Sequence, residues 1–366
     1  MPASAAAATE ALHLSRDDFT TVADGHPALR QAAIEAGRDT QFSATEAADA
    51  ITAMGKAGVQ VADILSGGLK GALDLAAAGE LQVKDAAEIA ATAMTQFGLS
   101  GKELPHVADL LAAGAGKAQG SVSDLANALK YVGPVAHGMG ISIETATGLL
   151  AEFASQGIIG EQAGTSLRGV LLSLTSPSKI AAGEIDRLGI TLYDSAGRFL
   201  GMENAAGQLQ QALAGMTAQQ RDASLGILFG NEQVTAARVL YAGGAKAVAE
   251  WTSKVNDSGF AARQAATLMD NLAGDAEQLR GSLETALISS GSGANDGLRE
   301  LTQTATGAVN AFSALPGPVQ QSTVLILGVG SAMGLLTAGA LKGAIGVRNM
   351  RTNLKEIGRA SCRERV

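Results

Sequence analysis

SVSDLANALKYVGPVAHGMGISIETATGLLAEFASQGIIGEQAGTSLRG, residues 121–169, reads as three helices joined by glycine turns. Val122, Leu125, Leu129, Val132, Ala136 and Met139 recur at steps of three and four, which lays one narrow, Ala-rich apolar stripe along a helix. Gly140 is placed to end that helix, Ile141 to pack back on it, and Ser142 to cap the next. Ile143, Ala146, Leu150 and Phe153 form a second stripe that Gly157 stops, and Leu167, Leu171 and Leu174 form a third. Pro134 lies inside the first of these helices and is expected to kink or split it near Gly133, because proline lacks the amide donor and crowds the preceding turn.

Upstream, a short helix is expected over His26 to Ala36, and Ser43-Ala-Thr-Glu46 has the Ser-x-x-Glu form of a capping box. Ala47, Ile51 and Met54 line the helix it opens, and Gly58 ends it. Further helices are expected at about 61–78 and 84–97, with a second capping box at Ser100-Gly-Lys-Glu103. A junction of glycine, apolar residue and hydroxyl recurs at Gly98-Leu99-Ser100, Gly140-Ile141-Ser142 and Gly189-Ile190-Thr191. The third leads into Thr191–Leu200, TLYDSAGRFL, whose apolar alternation around a polar turn predicts a small β-hairpin at about 190–200. Ser176-Pro177 reads as the cap and first residue of a helix over 177–188. Helices then resume at about 204–214, and Thr217-Ala-Gln-Gln220 opens another that ends at Gly230, with two more through Trp251.

Past Phe260 the texture changes. Leu268, Leu272, Ala276, Leu279, Leu283 and Leu287 mark one long amphipathic helix, and Leu298, Leu301, Ala305, Val309 and Phe312 a second. Between Glu300 and Lys342 no residue is charged, and Thr323–Leu341, TVLILGVGSAMGLLTAGAL, is about the length of a bilayer-spanning helix. Gly330, Gly334 and Ala338 form a small-xxx-small row, and Lys342, Arg348, Arg351 and Lys355 follow. Two readings stand for this segment: insertion in a membrane, and a helix buried in an oligomer. Gly358–Val366, GRASCRERV, breaks off the helical pattern and is expected to be a non-native tail on a chain truncated at its C-terminus. The expected fold class is all-α: an Ala/Gly-rich multi-helix core with the one small hairpin, then the long amphipathic helices, then the apolar helix. The boundaries this gives are a low-complexity lead-in at 1–22, the core at 23–255, the amphipathic helices at 256–316, the apolar helix at 317–347 and a basic tail at 348–366.

Composition narrows the function classes. Only 3% of residues are aromatic, while Gly supplies 46 of 366, nearly twice the average share of roughly 7%, so the core is built from small-residue helices rather than around an aromatic-lined pocket. A formal charge of −8 disfavours nonspecific adhesion to nucleic acid or acidic membranes, and no basic stripe with interleaved aromatics supports base recognition. Cys362 is the single cysteine, which excludes a disulfide framework within the chain and any multi-cysteine metal site.

No catalytic, cofactor-binding or metal-ligating residue is expected. His13, His26, His106 and His137 are scattered without metal-ligand spacing. Ser176-Pro-Ser-Lys179 matches Ser-x-x-Lys formally, but the partner motifs of that enzyme class do not occur. Gly114-Ala-Gly-Lys-Ala-Gln-Gly120 fits neither glycine fingerprint for phosphate and reads as a hinge. Gly164-Thr-Ser-Leu-Arg168 lacks the second glycine of a nucleophile elbow, and Asp17 and Asp18 read as helix-start caps. Lys130, Tyr131, His137 and Glu161 have no catalytic company in the sequence.

Leu125–Ala136, LANALKYVGPVA, then Gly140–Ala146, GISIETA, then Gly160–Arg168, GEQAGTSLR, form an ordered series that resembles the core of phage tail tape-measure proteins. Thr40–Ala50, Leu73–Gly79, Phe97–Leu99, Leu192–Arg198 and Ile227–Gly230 agree with it, so the resemblance covers about residues 25–255. It implies a noncatalytic assembly protein of a long-tailed phage or prophage, whose length sets tail length. Its implied partners are tail-tube subunits, tail assembly chaperones, baseplate or tail-tip proteins and further copies of itself. It implies no cofactor and no sequence-specific contact with nucleic acid. The place it implies is the lumen of the virion tail, or the bacterial cytoplasm when expressed from a prophage. It also implies exit at DNA ejection, with membrane contact through 323–341. A wholly helical chain of this length would reach at most about 550 Å. The long C-terminal helical extension of the family is missing, in keeping with truncation. The alternative is a membrane-active helical protein, holin-like or pore-forming, resting on 323–341. A cell-wall hydrolase would need an acid/base or metal set that the sequence does not offer.

Overall fold

The computed structural model describes residues 26–269 and Gly281. The lead-in, the long amphipathic helices past Met269, the apolar segment 323–341 and the tail lie outside the described residues. What is described is a stack of helices. In chain order they are α1 (Pro27–Asp39), α2 (Ala44–Lys56), a short turn Val61–Asp63 with a π-turn Ile64–Gly68, α3 (Leu69–Gly79) and α4 (Val83–Gln96). A 3₁₀ turn at Gly101–Glu103 leads to α5 (Leu104–Gly116), α6 (Val122–Gly138), α7 (Ile143–Ser155) and α8 (Gly160–Thr175). The remainder is α9 (Lys179–Leu188), α10 (Met202–Leu213), α11 (Ala218–Val255) and α12 (Phe260–Met269).

Local chemistry explains the boundaries. Ser43, Ser100, Ser121 and Thr217 each sit in a reciprocal capping box with the residue three places on, which satisfies two orphan amides of the first turn. At the other end of α6, Gly140 adopts φ +71. Its amide donates to His137 O at 2.9 Å and the amide of Ile141 to Ala136 O at 2.9 Å. Two terminal carbonyls are thereby paired, and Ile141 is folded back into the core. The same pair of bonds ends α2 at Gly58, α4 at Gly98, α7 at Gly157 and α9 at Gly189. It also ends α3, with Leu81 N donating to Ala76 O at 2.8 Å, but there Glu80 holds the left-handed position at φ +52.

One continuous apolar core runs through the stack. The stripes of α6, α7 and α8 are buried as read, with Leu129, Phe153, Leu167 and Leu171 at 1% exposure or less. Gly164 lets α8 lie directly on α6: a β-carbon there would sit 2.3 Å from Ala128 O and 2.8 Å from Ala128 Cα. The most central helix, however, is α5. Val107, Leu110, Leu111 and Ala113 are fully enclosed, and α5 lies against α3, α4, α6, α7, α11 and α12.

Several expectations need correction. The predicted hairpin is not formed, and no strand occurs among the described residues; Tyr193 and Phe199 make a single antiparallel bridge. Asp194–Arg198 is consumed by the turn itself, since the Asp194 carboxylate accepts from the amides of Ala196 and Arg198 at 2.9 Å each. Beyond the bridge, the backbone of Thr191 is taken by the Gln208 side chain, which accepts from its N–H and donates to its C=O at 2.7 Å. No backbone is left to extend a ladder. Pro134 does not split α6, which runs unbroken from Val122 to Gly138. Pro134 is on the solvent side, where a freed carbonyl can be hydrated at little cost. The helix expected over 177–188 starts at Lys179 instead, because Ser178 rather than Ser176 is its cap, accepting from Ala181 N at 3.2 Å. The supposed hinge at 114–120 begins inside α5, and Gly114 is there to admit Leu125, whose Cδ2 a β-carbon would meet at 2.6 Å.

Candidate functional site

The residues weighed for chemistry are spread over the stack and tied into its scaffold. His106, in the first turn of α5, bonds through Nε2 to Glu144 Oε1 at 2.8 Å, joining α5 to α7. Hydrogen bonds from Ser142 and His106 hold the half-buried Glu144 carboxyl below its ordinary value, although burial opposes them. The partner lies 38 residues away, so no local spacing could reveal it. His137 stands edge-on to Phe97 with ring centres 6.5 Å apart and roofs Gly98. His26 precedes α1 without capping it. Tyr131 is matched with Glu161, whose carboxylate raises the phenol pKa, and both lie at the surface. Gly164–Arg168 is mid-helix in α8 and presents no elbow. Lys117 reaches neither a phosphate loop nor a helix end of its own. Its ammonium donates to Lys254 O at 2.7 Å and to Asp257 at 2.5 Å. Among the described residues no group of three or more His, Cys, Asp or Glu is arranged to hold a metal ion. His13, Asp17 and Asp18 lie outside the described residues.

Sequence reading missed Glu152. This carboxyl on α7 is 3% exposed, its Oε2 has no hydrogen-bond partner, and burial pushes its pKa up to about 7. It is accommodated because α11 carries Gly243, where a β-carbon would lie 2.4 Å from Glu152 Oε1. Phe153, its neighbour in sequence, marks the apolar stripe, and only the i, i+4 relation to Gly148 places Glu152 on the glycine-lined side of α7. Gly148 is itself pressed on α11, with a β-carbon 2.7 Å from Thr252 N.

An apolar cleft lies among α8, α9, α10 and α11, lined by Val170, Leu174, Ile185, Met202, Leu209 and Leu228. The space within it is about 20 Å³, room for about one water molecule, so it is a packing gap and not a metabolite site. Large apolar side chains reach solvent singly, Ile180 at 74% most of all, with Leu172 and Ile227 near 40%. What the geometry offers is helix-on-helix burial.

Comparison with known proteins agrees with that inventory. A family model described as phage-related minor tail protein matches residues 30–230. The chain is 34% identical over 314 residues to the tape measure protein of Pneumococcus phage Dp-1, covering 85% of this chain and 27% of that protein. It is 30% identical over 335 residues to the probable tape measure protein of Escherichia phage P2, covering 87% of this chain and 39% of that protein. The chain thus spans between about a quarter and two-fifths of the length of these relatives. No solved structure matches.

Proposed function

The chain belongs to the phage-related minor tail protein family, and from that premise we propose that it is a structural, nonenzymatic part of a tail tape-measure protein. The observation that carries this reading is the identity to a tape measure protein and a probable tape measure protein over 85% and 87% of the chain. The described helices support it physically: their buried surface is spent on packing one helix against another, and their polar side chains cap helices or tie them together. In this role the region serves tail-tube assembly and length determination, and leaves with the protein at DNA ejection. Its partners are tail-tube subunits, tail assembly chaperones, baseplate or tail-tip proteins, and further copies of the chain. It resides in the lumen of the virion tail, or in the bacterial cytoplasm during expression from a prophage.

Such a ruler converts residues to length at about 1.5 Å each only where it is extended helix. The stack α1–α12 is folded back on itself, so it contributes less length than the same residues would as one extended helix. The membrane-active alternative draws no support from the described residues, where no helix is long and apolar enough to cross a membrane.

Co-expression with the tail-tube subunit and chaperone encoded beside the gene tests the proposal. The expected result is co-purification of the chain with one or both. A chain that elutes alone, from a locus without tail genes, would overturn it.

A further inference from the structure

A site with no part in the reading above lies where α11 crosses α7 and breaks. The two helices touch closely at two glycines. A β-carbon at Gly148 of α7 would lie 2.7 Å from Thr252 N, and Gly243 of α11 makes room for the Glu152 side chain. Directly after that notch Gly244 has φ +59 and ψ −161, a combination that glycine alone adopts without strain. Both sides of the break are tied down. Before it, Gln210 of α10 donates to Tyr241 O and Ala242 O at 3.2 and 3.1 Å. Beyond it, Lys117 donates to Lys254 O at 2.7 Å. The span 243–252 lies between these ties, and Val248 is its one enclosed apolar side chain.

Glu152 enters this span as a carboxyl with nothing to balance a charge. It is 3% exposed and its Oε2 has no partner. Among the described residues, the charged groups on the helices packed against α7 are engaged elsewhere or exposed. On α5, His106 bonds to Glu144, and Asp109 accepts from the amides of Gly259 and Ala261 at 2.6 and 3.0 Å. On α6, Asp124 bonds to Ser121, while Lys130 and His137 are exposed. On α8, Glu161 meets Tyr131 and Arg168 is exposed. On α11, Asp222 pairs with Arg238 and Lys246 with Glu250, Arg221 and Lys254 lie over the rings of Tyr241 and Trp251, and Glu232 is exposed. An enclosed carboxylate without a partner costs far more than the neutral acid. Burial accordingly raises the Glu152 pKa to about 7.

We infer that Glu152 is a proton-operated latch: as the acid it lets 243–252 of α11 lie on α7, and as the carboxylate it lifts that span away about Gly244. Water must reach the ionised carboxyl. The interface with α11 is the side that yields, because the span encloses little apolar surface and starts at a glycine pivot. The ties at Gln210 and Lys117 confine the movement to the residues between them. Openings of this size are local events that leave the remaining helices folded. The inference stands whether or not the chain measures a tail.

Trp251 is the one tryptophan of the chain and lies within the span, so it reports the opening. Acrylamide quenching of its fluorescence in the full chain, followed from about pH 5 to about pH 8.5, tests the latch. The quenching constant should rise at least about twofold with a midpoint near pH 7, while the far-UV helix signal holds to within about a tenth. Glu152→Gln keeps the shape and cannot ionise, so its quenching should stay at the low-pH value throughout. Flat quenching in the unmutated chain would overturn the latch, whatever the variant does. So would a rise that persists in Glu152→Gln, which would assign it to another group. A rise that tracks a loss of helix signal would overturn it as well, because the proton would then act on global unfolding.

Discussion

Between Ala44 and Thr175 glycines such as Gly140 end helices and others such as Gly164 let two of them touch, while between Ala218 and Val255 Gly230 and Gly244 sit within a helical run and break it. In the first region the backbone repairs its own ends: the amides at Gly140 and Ile141 take the last carbonyls of α6, and no side chain is needed. In the second, α11 is interrupted at Gly230 and Gly244, with φ of +75 and +59. There the exposed carbonyls of Tyr241 and Ala242 are satisfied from outside, by Nε2 of Gln210 at 3.2 and 3.1 Å. Glu152, beside the second break, has one carboxylate oxygen with no partner at all. The contrast separates two sources of stability. The first region is sensitive to volume at its helix contacts, and the second to the charge state and length of polar side chains placed against its breaks.

The largest effect is expected where that sensitivity to volume is sharpest. Gly164→Ala improves helix propensity by about 1 kcal/mol, yet its β-carbon would lie 2.3 Å from Ala128 O, a backbone atom that no side-chain rotation can move. α6 and α8 must separate, opening the core around Leu129 and Leu167. A loss of about 3 kcal/mol or more is expected, at the upper end for overpacking, read as a lower urea midpoint for the full chain. A midpoint unchanged or raised would show that the α6–α8 contact yields, and the division between the regions would fail.

The contact that Glu152 of α7 makes with the second region at Gly243 should answer to pH. The Glu152 carboxyl titrates near 7 in the folded protein against an ordinary value of 4.5, because burial disfavours its charged form. The folded state therefore holds its proton more tightly than the unfolded state does. The associated stability is full below about pH 4.5, declines as pH rises through 7, and is gone above that. The shift corresponds to about 3 kcal/mol at most. Glu152→Gln keeps the shape and removes the ionisation, so it should raise stability at pH 8 by up to about 3 kcal/mol and change little at pH 4.5. Urea midpoints of both proteins across pH 4.5–8.5 decide the matter. Parallel curves would mean that Glu152 stays charged in the fold and that the break beside it is hydrated.

Much of the first region was legible, because its signals are local. A capping box spans four residues and the glycine junction three, so Ser43, Ser100, Gly98 and Gly140 could be assigned from neighbours alone. Position across the stack was not legible. Leu-Leu-Ala-Ala-Gly-Ala-Gly, residues 110–116, reads as a helix running out into a hinge, yet α5 lies against six other helices, its small residues letting neighbours come close. The hairpin failed for a related reason: Gln208, seventeen residues on, takes the Thr191 backbone that a strand would have used. The resemblance to tape-measure proteins rested on the ordered series from Leu125 to Arg168, which lies within the residues 30–230 that the family model matches. Glu152 and Asp109 carried no signal, as each acquires its meaning from a residue on a distant helix.

The smallest effect gives the finest test, because it compares one device with itself. α3 and α6 end in the same hydrogen-bond pattern, but the left-handed position is Glu80 in one and Gly140 in the other. A residue with a β-carbon pays about 1 kcal/mol to hold that conformation, and glycine does not. Glu80 is exposed, and no ion pair with another described residue accompanies the strain. Glycine also gains entropy in the unfolded chain, which offsets part of the relief. Glu80→Gly should therefore stabilise the protein by about 0.5–1 kcal/mol, whereas Gly140→Ala should destabilise it by about 1 kcal/mol. Measured together by urea unfolding, opposite signs would show that the junctions of the first region are governed by backbone conformation alone. A loss on Glu80→Gly would mean that the Glu80 side chain contributes something beyond its backbone, and the α3 junction would then belong with the side-chain-dependent breaks of α11.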